Sequence, residues 1–222
     1  MIDPNGMDGI ATIDYDNKTI AISQTFYYNK NSEELISKAI VADREINNVR
    51  DGHLIIPSEI SLVNQDGFSS REWSVNDGSM EWTVSFSYEF IGLDSDDDVA
   101  NALSSHPEAN ALRYDKKLEP DGEWDPSTRT ITLGFQGASW GVQRGSTLKH
   151  EIGHSWGLPH ENLMPNSPIY GENNKNGSGI MSYGKNRTIQ QYEVDYGVTR
   201  ILRDIPANHP SSIQMHIKTG NY

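Results

Sequence analysis

Residues 150–160 read His-Glu-Ile-Gly-His-Ser-Trp-Gly-Leu-Pro-His and hold three of the chain's seven histidines. Neutral imidazoles are common metal ligands, and His150 and His154 stand four residues apart. On an α-helix that spacing is about 40° of rotation and roughly 6 Å of rise, so both rings project from one face. Their nitrogens can then reach one ion at the roughly 2.0–2.1 Å that zinc prefers. Glu151 lies about 100° further round the helix, so it does not compete as a ligand and is placed to take a proton from a water held by the ion. A straight helix would carry later residues away from the metal. Gly157 is the residue type that ends a helix in a left-handed conformation, and Pro159 stiffens the return, so His160 comes back as a third ligand. Three imidazoles leave a fourth position for water, which is the pattern of a catalytic rather than a structural zinc site.

The pattern HExxHxxGxxH, matched here at every fixed position, resembles the zinc-binding consensus of the metzincin metallopeptidases. That clan also carries a tight turn with a methionine beneath the zinc ligands. Gly179-Ile180-Met181-Ser182-Tyr183-Gly184 supplies it, with Met181 following His160 by 21 residues. The resemblance spans Lys149 to Gly184. It implies Zn²⁺ as cofactor, His150, His154 and His160 as its ligands, Glu151 as general base, Met181 as a structural residue, and a protein or peptide substrate. Tyr183 takes the place of a tyrosine that is a displaceable zinc ligand and oxyanion stabiliser in astacin-like and serralysin-like members; the other reading of Tyr183 is a core tyrosine. The implied fold is α+β: a twisted mixed β-sheet with long helices, and a zinc cleft between an N-terminal subdomain (10–157) and a smaller C-terminal one (158–222). The resemblance also implies that Thr128–Phe135 is the edge strand above the cleft, where an extended substrate adds as an antiparallel strand, with glycines at 134, 137 and 141 allowing close approach.

The elements that must position these residues are read from periodicity. Lys18–Tyr28 alternates β-branched and aromatic residues and predicts a strand. Asn31-Ser32 offers a cap for a helix over 32–48, His53–Val63 is strand-like with Pro57 marking an edge or bulge, and Ser79–Leu93 is the clearest strand pattern. Asp94–Asp98 is either a calcium loop or the acidic cap and first turn of a helix over Val99–Ser105; the lack of glycine and of EF-hand spacing favours the helix. Gly141–Trp156 predicts the helix that carries the histidines. Residues 158–187, rich in Asn, Pro, Gly and Ser, predict a long irregular segment. Asn186-Arg187-Thr188 is read as the cap of a last helix with Ile189, Tyr192, Val198, Ile201 and Leu202 on its apolar face, and the tail from Pro206 has no defined element.

Composition bounds the rest. A chain of 222 residues can bury a substantial core. The absence of cysteine excludes disulfides, thiolate ligands and a cysteine nucleophile. A formal charge of −13 argues against nucleic acid as a partner. No stretch reaches the roughly 20 apolar residues of a membrane span. The N-terminus lacks the basic and apolar regions of a signal peptide. Residues 1–9 form a leader in which Ile2–Gly9, IDPNGMDG, resembles the segment that closes the Rhs core of bacterial polymorphic toxins. That resemblance implies a toxin domain delivered to another cell as part of a larger polyprotein, and an immunity or inhibitor protein as a further partner. The competing expectation for the whole chain is a zinc-binding interaction module without turnover.

Overall fold

The computed structural model describes residues 7–32, 67–78, 80–115, 117–118, 122–134, 144–183, 187–205 and 210–218. The helix expected over 32–48, the strand over 53–63, Gly137, Gly141 and Gly184 lie outside them, apart from Ser32, as do the first residues of the leader. The chain is α+β, a curled mixed sheet with three helices among the described residues.

The sheet is built around β2 (Thr19–Asn29), whose burial alternates along its first half as a strand with one solvated face requires. β4 (Glu81–Leu93) runs parallel to it along its whole length, from Thr19↔Thr83 to Asn29↔Leu93. Two strands share the other edge of β2. β1 (Met7–Asp14) pairs antiparallel with its first half, and β5 (Asn110–Asp115) pairs parallel at Phe26 and Tyr27. β3 (Trp73–Asn76) lies antiparallel outside β4. Beyond β5 come β7 (Thr130–Gly134), parallel, and then β6 (Gly122–Asp125), antiparallel to β7. β8 (Ser212–Lys218) pairs antiparallel with β1.

Helices cover both faces. Phe26 and Tyr27 are consecutive on β2 and therefore point to opposite sides, Phe26 into the main core and Tyr27 into a smaller cluster under Val99 of α1 (Asp96–Ser105). α2 (Arg144–Ser155) presses Leu148 and Ile152, both fully buried, into the main core, and Trp156 one step further packs edge-on against Phe68 and Phe86. Gln24 on β2 donates from Nε2 to Ser155 Oγ at 3.0 Å, which fixes the end of α2 to the sheet. α3 (Gln191–Arg203) brings Val194, Val198 and Ile201 to the same core. No helix among the described residues is long and apolar enough to cross a membrane.

Several expectations are corrected. Thr128–Phe135 contains β7, but β7 is flanked on both sides; among the described residues the edge strand is β6, whose four residues Gly-Glu-Trp-Asp carry little strand propensity. The last helix is not capped at Asn186-Arg187-Thr188. It starts at Gln191, and the Glu193 carboxylate accepts the Gln190 N–H at 2.8 Å, while Thr188 bridges to Gly179 and Ile189 precedes the helix. The tail holds β8, with Ile213, Met215 and Ile217 turned towards the core. β1 begins at Met7, within the stretch read as a leader. The favoured reading of the acidic run holds: it forms the cap and first turn of α1, where Ser95 Oγ accepts the Asp98 N–H at 3.1 Å and Asp94 pairs with Lys30 at 2.8 Å.

Candidate metal centre

α2 is two-sided. With Leu148 and Ile152 on the sheet, His150 and His154 emerge together on another face, their ring centroids 4.7 Å apart. The helix then stops at Gly157, whose φ is +94°. The Gly157 N–H donates to His154 O and the Leu158 N–H to Gly153 O, both at 2.9 Å, closing a Schellman turn. Arg200 of α3 holds this turn by donating to Gly157 O at 2.6 Å. The chain reverses, and His160 comes back with its ring 4.9 Å from that of His154 and 5.5 Å from that of His150. One ligand atom from each of the three histidines lies within 4.8 Å of the others.

The tautomers follow from the partners. His150 Nδ1 faces Ile180 O at 2.7 Å and His154 Nδ1 faces Leu158 O at 2.8 Å. A carbonyl only accepts, so both Nδ1 atoms carry the hydrogen and both Nε2 atoms carry a lone pair. Those two Nε2 atoms stand 3.1 Å apart with no hydrogen to share. Two nitrogens on a tetrahedral zinc are separated by about 3.3 Å. The observed separation is close to that value, so the donor set suits a metal ion. The protonation states agree. Burial holds His150 well below the usual imidazole range, helped by His154; burial and His160 bring His154 down to about 4; and burial lowers His160. All three are neutral near pH 7, as metal binding requires.

Met181 lies fully buried beneath α2, and a Cβ on Gly153 would overlap its Sδ. The glycine inside the motif is therefore where helix and methionine turn touch. Glu151, 5% exposed, faces β6. A Cβ on Gly122 would stand 2.7 Å from Thr147 Cγ2 and 3.1 Å from Glu151 Oε1, so the edge strand rests directly on this carboxyl. Burial pushes Glu151 up to about 8, Glu123 adds to the rise, and Arg187 and the Trp124 N–H act against it. Tyr183 is 54% exposed and its hydroxyl meets His160 Nε2 at 2.7 Å.

Three further groups were not singled out by the sequence reading. Glu161, 1% exposed, accepts the Gly179 N–H at 2.9 Å and a very short bond from the Tyr192 hydroxyl. Glu193, fully buried, accepts Met181 N–H at 2.8 Å and Ile180 N–H at 3.2 Å; burial pushes it up to about 7 against the pull of those N–H groups. Arg187 donates to Ser182 O at 2.9 Å and acts electrostatically on His150, Glu151 and Tyr183. The Gln190…Glu193 spacing is that of a capping box, and it is the one signal in the sequence that could have marked any of them. No protein-family model matches the chain, and no curated protein matches it.

Proposed function

We propose that the chain is a zinc-dependent endopeptidase of metzincin type, with its cleft between residues 10–157 and 158–222. The observation that supports this best is the pair of lone pairs on His150 and His154, 3.1 Å apart, with His160 closing the set and Glu151 beside it. Zinc held by the three histidines would supply Lewis acidity, polarising a scissile carbonyl and acidifying water towards a pKa of about 7. Glu151 takes the proton of the water that attacks the carbonyl carbon and passes it to the leaving amine nitrogen; its burial and raised affinity for a proton suit both halves of that shuttle. The Tyr183 hydroxyl, next to His160 and exposed, is a donor for the developing oxyanion. The outer edge of β6 accepts the extended protein or peptide substrate, a role that moves there from β7. The IDPNGMDG segment supports a setting in which the domain is the toxin end of an Rhs-type bacterial polyprotein, delivered to another cell and held in check by an immunity protein.

The test is zinc content together with chelator-sensitive cleavage of casein by the wild type and Glu151→Ala. The variant is expected to keep zinc and lose about 10²–10⁴-fold in rate. Zinc without cleavage in the wild type would favour a silent binding module, and undiminished cleavage by Glu151→Ala would sink the assigned base.

A further inference from the structure

His150 and His154 look equivalent at the metal, but their backs differ. His150 Nδ1–H donates to Ile180 O at 2.7 Å. The other end of the same peptide unit is the Met181 N–H, and it donates to Glu193 Oε1 at 2.8 Å. A carboxylate on the N–H end of an amide draws electron density towards the carbonyl oxygen and makes it a stronger acceptor. Glu193 is held there from α3, with its second oxygen accepting from Gln190 and Ile180. Gly179 gives it room, since a Cβ there would stand 2.5 Å from Oε1. His154 donates to Leu158 O at 2.8 Å, and the next residue is Pro159, whose nitrogen has no hydrogen, so nothing can polarise that peptide from behind.

We propose that Glu193 is a positioning residue of the metal centre, acting through the Ile180–Met181 peptide on His150 and on no other ligand. A carboxylate hydrogen-bonded directly to a metal-bound imidazole orients the ring and raises its basicity; here one peptide unit is interposed, so a single ligand is both fixed in direction and made a stronger donor by a residue 43 positions away. The inference rests on the metal-site reading only for its consequence, because the relay itself can be read with or without zinc.

The experiment is nitrogen-15 NMR of the histidine rings in the full chain, zinc-free and zinc-loaded, at mildly alkaline pH, with wild type, Glu193→Gln and Glu193→Asp. In the wild type the His150 Nδ1–H is expected downfield of that of His154. Glu193→Gln should move it upfield and leave His154 in place, Glu193→Asp should restore part of the shift, and zinc affinity should fall about tenfold in Glu193→Gln. Equal ring N–H shifts in the wild type would overturn the relay without any variant, as would an unmoved His150 signal in folded Glu193→Gln. If zinc leaves every ring signal unchanged, the metal-site reading fails while the His150 comparison still decides the relay.

Discussion

Glu151 is buried beside three imidazoles that are themselves neutral, and Arg187 is the cation acting on it. With its proton affinity raised to about 8, it is mostly protonated at pH 7 in the metal-free chain. A divalent cation beside it lowers that value, so zinc binding near pH 7 should release protons to the buffer. Calorimetric heats should then vary with the ionisation enthalpy of the buffer, and vary less for Glu151→Gln; buffer-independent heats in the wild type would count against this. The same groups set a stability profile for the metal-free protein. Glu151 and Glu193 bind protons more tightly folded than unfolded, so their contribution is present below about pH 4.5 and is lost as pH rises towards 8. His150 and His154 do the opposite, and their contribution is lost as pH falls below about 6.5, for His154 on the way down to about 4. The two oppose each other in the middle, and above about pH 6.5 only the carboxylates remain. The melting temperature should fall between pH 6.5 and 8.5, with a shallower slope in Glu193→Gln; a rising melting temperature would contradict the assignment.

At the scale of elements, the site is a contact between α2 and the turn that carries Met181. Gly153→Ala places a methyl on Met181 Sδ, so it should cost about 1–3 kcal/mol in denaturant unfolding, whereas Met181→Leu, close in volume, should cost less than about 1.5 kcal/mol. If Gly153→Ala unfolds like the wild type, that contact is not tight. What was legible in the sequence is what is local: the four-residue histidine spacing, the stop at Gly157 and the alternation of Lys18–Tyr28 and Ser79–Leu93 all reappear as α2, its turn, β2 and β4. What was not legible depends on distant partners. Gly122–Asp125 is a strand because β7 pairs with it, and Ser212–Lys218 because β1 does. Glu161 goes unmarked in the sequence, and Glu193 is marked only by its spacing from Gln190, because carboxylates are rarely buried and these two gain their partners, N–H groups of the Met181 turn and the Tyr192 hydroxyl, only in the folded chain. The cap of α3 was misplaced because Ser, Thr and Asn are the usual signal, whereas Glu193 caps this helix from inside it.

For the molecule as a whole, the three histidines join α2 to the segment that α3 clamps through Arg200 and Glu193. Zinc at 100 times its Kd should therefore raise the unfolding free energy by about 2.7 kcal/mol, and a chelator should remove that gain. An unfolding curve indifferent to chelator would argue that the histidines do not share an ion. The arrangement around β2 sets a different clock. β4 covers one edge of it throughout, while β1 and β5 divide the other. Its amides can reach water only when β4 on one edge and β1 and β5 on the other have let go. In deuterated solvent they should be the last to lose their hydrogens, at the rate of global unfolding, long after those of the outer strands β6 and β8 have exchanged.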